Sequence, residues 1–106
     1  MRQSRKERLI EADNVAYARA RGTEAIKMNT WLSNGWPDRL YVMPKGRVFW
    51  AEYKDPNGEL SPLQAERIKY LRGRGHDVEV IDNKEAGRRA IDVRLGGVRR
   101  RRTVVA

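Results

Sequence analysis

The sequence predicts an α/β fold in which a small mixed β-sheet is flanked by helices, in the order αβββαβα. Three segments carry helix start or stop residues, and short segments rich in β-branched and aromatic residues lie between Gly- and Pro-containing turns. A chain of 106 residues is long enough for one domain with a modest core. We therefore expect a folded domain over residues 1–95, followed by a basic tail over residues 96–106.

The amino-terminal segment predicts a helix from about Ser4 to Arg21. Neither Gly nor Pro interrupts it, and Gly22 stands where a carboxy-terminal cap is expected. A strand is predicted next, over residues 23–29. A loop over residues 30–37 follows because it contains a cluster of turn-forming residues.

A β-hairpin is predicted after this loop. Its strands are Arg39–Met43 and Arg47–Tyr53, which are rich in Val, Tyr, Phe and Trp, and its turn contains Pro and Gly. If Lys45 is the centre of the turn, Asp38 lies opposite Glu52, because both are seven residues away from it. Side chains alternate along a strand, so Glu52 shares a face with Lys54, and Tyr53 points to the other face.

This register brings two carboxylates and an ammonium group to one end of the hairpin. Directly opposed like charges destabilise a sheet, so we expect a divalent cation between Asp38 and Glu52. An Asp followed by Glu-x-Lys on the next strand is the PD-(D/E)xK nuclease signature. In such chemistry the carboxylates ligate a hard cation, which polarises the phosphate and activates water, while Lys54 orients that water and offsets charge at phosphorus.

A surface strand with solvated charges is the alternative, because a bare Asp plus Glu-x-Lys occurs often by accident in basic proteins. The neighbours of Glu52 favour the site. Val48 and Trp50 precede it on its own face, and Phe49 and Ala51 occupy the other face. A strand that is apolar on both faces is typical of the centre of an α/β sheet, where solvated charges are rare.

The carboxy-terminal half predicts a helix, a strand and a helix. Ser61 is a favourable N-cap and Pro62 suits the first helical position, so a helix starts there and ends before Gly73. A strand over residues 77–81 and a last helix over residues 83–94 follow.

Gln64 has two interpretations. It occupies the capping-box position three residues after Ser61, which is the first reading on sequence alone. It also shares a helical stripe with Ile68 and Leu71, which is the stripe expected to face the sheet. An amide on that stripe, near the end of the hairpin, would hold the attacking water or a phosphate oxygen.

The charge of the chain indicates a polyanionic partner. The formal net charge is +9 and the sequence pI is about 10.5, and phosphate backbones are the commonest target of such proteins. Arg99–Arg102 form a basic run in the tail, and a solubilising role and a DNA contact remain equally open for it. His76 is the single histidine and receives no catalytic role.

The composition also bounds the compartment. The chain has no cysteine, which excludes disulfides and thiolate metal sites and fits a reducing environment. No apolar run has the length of a membrane span, and no signal-peptide pattern opens the sequence. We expect no membrane partner and a cytoplasmic location.

Four motifs resemble the VRR-NUC family of virus-type replication–repair nucleases. They are Gly-Trp-Pro-Asp at 35–38, Gly-Arg-Val-Phe-Trp-Ala-Glu-Tyr-Lys at 46–54, Gly58, and Leu-Ser-Pro-Leu-Gln at 60–64. The resemblance spans roughly residues 10–81 and implies a restriction-endonuclease-like fold with a Mg²⁺ or Mn²⁺ cofactor. It also implies an active site made of Glu11, Asp38, Glu52, Lys54 and Gln64.

Within that implied site, Asp38, Glu52 and the backbone carbonyl of Tyr53 are the expected metal ligands. Glu11 is expected in the outer shell or at a second ion, with Glu7, one turn earlier, as the alternative helix acid. Lys27 also falls where similar sequences carry a Lys, without an assigned role.

The sequence thus predicts a structure-selective DNA endonuclease. The resemblance to stand-alone phage and bacterial members of the family implies a bacterial or phage-infected host cell and a homodimer acting on branched DNA, and we expect a resolvase of four-way junctions. A flap or general DNA nuclease, an RNase and a non-catalytic basic nucleic-acid-binding module are the alternatives.

Overall fold

The computed structural model describes residues 3–28 and 34–96 of the chain. The helices are α1 (Arg5–Ala20), α2 (Pro62–Gly73) and α3 (Lys84–Arg94), and the strands are β1 (Ala25–Lys27), β2 (Arg39–Val42), β3 (Val48–Tyr53) and β4 (Val78–Ile81). The predicted order αβββαβα is confirmed. The predictions for the loop around Trp31, for the end of the first strand at Asn29 and for the basic tail lie outside the described residues.

The four strands form one mixed sheet in the order β1-β2-β3-β4. The first two pairs are antiparallel, and β3 and β4 are parallel. Parallel strands place their carboxyl ends at the same edge, so the segments that follow Tyr53 and Ile81 emerge side by side.

The predicted hairpin register is confirmed. Arg39 pairs with Ala51 and Val42 pairs with Val48, so each pair is equidistant from Lys45. Lys45 has a φ of 64°, a left-handed conformation that closes the turn just before Gly46. Extending this register by one residue places Asp38 opposite Glu52.

The first strand is shorter than predicted. It begins at Ala25, and Thr23, which precedes it, donates its hydroxyl proton to the backbone carbonyl of Val42. Pairing continues beyond the strand at the other end, where the amide of Met28 donates to the carbonyl of Asp38 at 2.8 Å. The edge strand is therefore tied to β2 at both ends.

The two faces of the sheet bury cores of different size. The face covered by α1 and α3 carries the larger core, which contains twelve buried residues, among them Tyr41, Phe49, Ala51, Tyr53 and Ile81. The face covered by α2, here called the α2 face, has a smaller cluster of Ile68, Leu71 and Val78, with Trp36, Trp50 and Leu60 partly buried against it. The end of β3 is buried on both faces, as its composition predicted.

A buried polar chain fixes β3 from the larger core. Tyr53 donates its hydroxyl proton to the side-chain oxygen of Asn14 at 3.1 Å, so Tyr41, 2.6 Å away, donates to Tyr53. Burial raises the pKa of both phenols, that of Tyr41 to about 12. A side chain at Gly87 would overlap Asn14, because an added Cβ would lie 1.5 Å from its oxygen. Close packing of α1 on α3 thus holds Asn14 in place.

None of the helices in the described part of the chain combines the length and the apolar character that a membrane crossing requires.

Candidate active site

The predicted hairpin residues meet where β3 ends and α2 begins. Glu52 is the penultimate residue of β3 and its side chain lies on the α2 face, whereas Tyr53 turns into the larger core. The amide of Lys54 still donates to the carbonyl of Ile81 at 2.9 Å, so Lys54 leaves the sheet in an extended direction. Alternation along one strand therefore presents Glu52 and Lys54 to the start of α2.

Asp38 is held at this edge by the backbone. Its side chain is almost completely buried, and its carboxylate accepts the amide proton of Tyr53 at 2.8 Å. The turn before it packs against α2, because an added Cβ at Gly35 would lie 2.6 Å from the side chain of Leu63, and Gly35 has a φ of 77°. Only glycine meets both conditions, so the Gly-Trp-Pro-Asp turn fixes where Asp38 lies.

Glu52 is also buried, with 2% of its surface exposed. Burial and, to a smaller extent, the neighbouring Asp38 together raise the pKa of its carboxyl group to about 8, and Lys54 only partly opposes them. Two buried acids at one place are therefore expensive to ionise together. A positive charge between them would remove that cost.

Gln64 links the acid to the lysine. Its amide nitrogen donates to Glu52 at 3.1 Å, and its carbonyl oxygen accepts a proton from the Lys54 ammonium group at 3.2 Å. The same side-chain oxygen accepts the backbone amide proton of Ser61, while the backbone amide of Gln64 donates to the Ser61 hydroxyl. The capping box is thus complete, and the same side chain also contacts Glu52 and Lys54; its role toward water or phosphate stays a prediction.

Glu11 lies in a different cluster. Its buried carboxylate accepts hydrogen bonds from Arg39 at 2.5 Å and from Lys27 at 3.2 Å. Burial raises the pKa of this carboxyl group, but the hydrogen bond from Arg39 and the charge of Lys27 outweigh it, and the net shift is downward. Lys27, which had no assigned role, is a partner of Glu11.

Glu7 has a structural partner of its own. Its carboxylate accepts the amide proton of Asp55 at 3.1 Å and closes the capping box of α1 with Ser4. The Ser4 hydroxyl donates to the carboxylate of Asp55 at 2.7 Å. The start of α1 therefore binds the segment that directly follows Lys54 through hydrogen bonds and fixes its position.

The structure thus brings Asp38, Glu52, Lys54 and Gln64 together; Glu11 and Glu7 bind other partners, but they lie near enough for their charges to help raise the pKa of Glu52. In residues 3–28 and 34–96, no three His, Cys, Asp or Glu side chains are grouped closely enough to hold a metal ion. Two carboxylates still suit Mg²⁺ or Mn²⁺, because such ions are often bound through one or two protein carboxylates and keep several waters. The buried pair of acids fits a hard divalent cation.

Arg39 was not among the residues that the sequence predicted for the site. A usable signal was present, because Lys27 and Arg39 are direct partners across β1 and β2. Opposed cations destabilise a sheet unless an acid lies over them. Glu11 on α1 meets that requirement.

Comparison with known proteins gives a consistent result. The profile of the VRR-NUC domain matches residues 5–85 of the chain. A phage protein named "Putative nuclease p44", from Acyrthosiphon pisum secondary endosymbiont phage 1, is 32% identical over 80 residues, which are 76% of this chain and 86% of that protein. A solved VRR_NUC domain superimposes with a TM-score of 0.71 at 26% identity, over 79% of this chain and 91% of that one. The chain therefore belongs to the VRR-NUC family of nuclease domains.

Proposed function

We propose that this protein is a metal-dependent, structure-selective DNA endonuclease whose active site contains Asp38, Glu52, Lys54 and Gln64. One observation carries the proposal: buried Glu52 accepts a hydrogen bond from Gln64, which in turn accepts one from Lys54. A lysine that is linked through an amide to a buried acid, opposite a second buried acid, has no evident use in a protein that only binds a polyanion. Phosphodiester hydrolysis uses all four groups.

Asp38, Glu52 and the backbone carbonyl of Tyr53 would hold Mg²⁺ or Mn²⁺. When bound, such an ion polarises the phosphate and lowers the pKa of a water molecule. The Lys54 ammonium group would stabilise negative charge that develops on the phosphate oxygens. Gln64 would orient Lys54 and hold the attacking water in line with the scissile bond, because its side-chain amide is fixed by the helix cap.

Glu11 enters the proposal as an outer support of the site, and a ligand role at a second ion stays its alternative. Its carboxylate holds Arg39, which directly follows Asp38. Through this ion pair α1 would fix the strand that carries Asp38.

For the substrate we propose branched DNA, with a four-way junction as the specific target. The net charge of +9 supports a nucleic-acid substrate. Resolution of a junction requires two symmetric nicks, and a C2 homodimer supplies two active sites in that relation. A flap or general DNA nuclease, an RNase and a non-catalytic binding module are the competing proposals.

An exposed apolar area supports self-association. Ile26, Val42 and Val48 share the α2 face by register, and each has 39–48% of its surface exposed. Exposed apolar patches of this kind mark interaction sites. A Val42→Lys variant should therefore be monomeric if this area joins two copies.

The test uses labelled linear, flapped and four-way DNA, with RNA of the same sequence, in Mg²⁺, in Mn²⁺ and in EDTA. Light scattering of the protein–DNA complex is measured in parallel. We expect paired nicks on the four-way junction, dependence on the metal, and a dimer. A monomer that cuts flaps and leaves unpaired nicks on junctions would favour the flap nuclease. Absence of cleavage on every substrate with either metal would favour the binding module.

A further inference from the structure

A row of arginines and aromatic rings runs along one side of α2. Arg67 and Tyr70 lie three residues apart on α2, and Arg74, the C-cap residue, follows Tyr70 by four, so the three share one side of the helix. Trp36 joins them from the turn before Asp38. The Arg67 guanidinium is 4.8 Å from the centre of the Trp36 ring, Trp36 meets Tyr70 edge-on at 6.1 Å, and Arg74 is 5.5 Å from the centre of the Tyr70 ring. We call these four residues the α2 row.

Of the two aromatic rings in this row, that of Tyr70 is open to solvent. Tyr70 is 53% exposed, whereas α2 anchors itself to the sheet through the buried residues Ile68 and Leu71. Tyr70 therefore adds little to the core. A large exposed ring beside two cations has the composition of a surface that stacks nucleic-acid bases.

The two arginines of the row are available for an anion. Within residues 3–28 and 34–96, neither Arg67 nor Arg74 lies in ion-pair distance of a carboxylate, and Arg67 donates only to the carbonyl of Asn34. A second ring with arginines beside it, that of Tyr17, differs because its arginine and its hydroxyl have carboxylate partners. There Arg88 pairs with Asp13 at 2.6 Å, and the Tyr17 hydroxyl is bound to Asp92.

The row begins beside the candidate active site. Trp36 lies two residues before Asp38, and Arg67 follows Gln64 by less than one turn of α2. From Arg67 to Arg74 the helix rises about 10 Å away from the site. A nucleic-acid strand with one phosphate at Glu52 would therefore continue along α2 and pass over Tyr70.

We propose that the α2 row binds a single-stranded DNA segment that flanks the cleaved phosphate. Tyr70 stacks on an unpaired base, and Arg67 and Arg74 contact the phosphates on either side. The occupant is a single strand, because a ring can stack on bases only where they are not already stacked in a duplex. This inference rests on the proposed function in that it takes DNA as the substrate; a four-way junction offers unpaired bases only where base pairs open at its branch point, whereas the flap of the competing proposal offers a single strand directly.

The experiment measures binding without cleavage. Fluorescence anisotropy in EDTA gives the Kd of the full-length protein for a labelled pyrimidine-rich single strand and for a blunt duplex of equal length. Tyr70→Ala should weaken binding of the single strand by about fivefold or more and leave the duplex within twofold. Tyr70→Phe keeps the ring and should bind like wild type.

The matched charge control is Arg89, an exposed arginine of α3 on the opposite side of the sheet. Arg74→Gln should weaken single-strand binding more than Arg89→Gln, although both remove one positive charge. Unchanged single-strand binding in Tyr70→Ala, an equal loss for the duplex, or equal effects of the two arginine variants would each overturn the proposal. Since no cleavage is measured, an inactive enzyme would contradict the proposed function and leave this result interpretable.

Discussion

The amide nitrogen of Gln64 lies 3.1 Å from a carboxylate oxygen of Glu52, while the oxygen of the same amide caps α2 through Ser61. One side chain thus joins the start of a helix to the buried acid of the neighbouring strand. The cap and the site cannot be altered independently at Gln64, but they can be separated at Ser61.

Ser61→Ala should therefore cost about 1 kcal/mol of unfolding free energy, as loss of an N-cap does, and leave turnover nearly intact. Gln64→Ala should cost a similar free energy and also lower kcat, because it removes the link between Glu52 and Lys54. Thermal melting and single-turnover cleavage of the two variants give the comparison. An equal loss of turnover in Ser61→Ala would mean that Gln64 acts only through the helix start.

Asp38→Ala, Glu52→Ala and Lys54→Ala should each nearly abolish cleavage. Groups that act as one unit lose their effect together, so the Asp38→Ala/Glu52→Ala double variant should be little slower than either single variant. Circular dichroism should show a folded protein in every case. Full activity of Glu52→Ala would rule out the assigned site.

The metal-free protein should lose stability as the pH rises. The pKa of Glu52 is about 8 in the folded protein against 4.5 for an ordinary glutamate, so the folded state binds the proton more tightly. The stabilisation that the protonated carboxyl group of Glu52 contributes is complete below pH 4.5 and disappears as the pH rises through 8. In EDTA, Glu52→Gln should therefore melt increasingly above wild type between pH 5 and pH 9. Parallel melting curves of the two proteins over that range would contradict the raised pKa.

Glu11 is predicted to act on stability through Arg39 and Lys27. Glu11→Gln leaves the partly buried Arg39 without its counter-charge and should cost about 3 kcal/mol, the lower end for breaking a buried ion pair, because only Glu11 is fully buried. Glu11→Leu combined with Arg39→Met should recover part of that loss. Urea unfolding of the wild-type protein and of these two variants measures both effects. If Glu11→Gln unfolds like wild type but is inactive, Glu11 is a ligand at the reaction centre instead.

The sequence predicted those features that depend on local rules. The register of Asp38 against Glu52 follows from a turn centred on Lys45 and from alternation, and both operate over a few residues. The helix that starts at Ser61 follows from its capping residues in the same way.

The remaining features depend on tertiary placement. The contact of Glu11 with Arg39 requires the position of α1 over the sheet, which no periodicity encodes. The apolar residues of α1 have no regular spacing that singles out a buried face, and the structure buries Ile10, Glu11, Asn14, Val15 and Ala18. The first strand was predicted to begin two residues too early, because its start depends on pairing with β2, which the local pattern does not specify.

The unequal size of the two cores has a consequence for how the enzyme fails. Twelve buried residues hold α1 and α3 to the sheet, while α2 rests on a cluster with three. Segments with few buried contacts open in partial unfolding events at lower free energy than the whole domain. Helix α2 carries Gln64, Arg67 and Tyr70, so its detachment would remove these side chains from the candidate site while the hairpin with Asp38 and Glu52 stays folded. On warming, catalysis should be lost before the fold, and it should return on cooling without any need to refold the sheet.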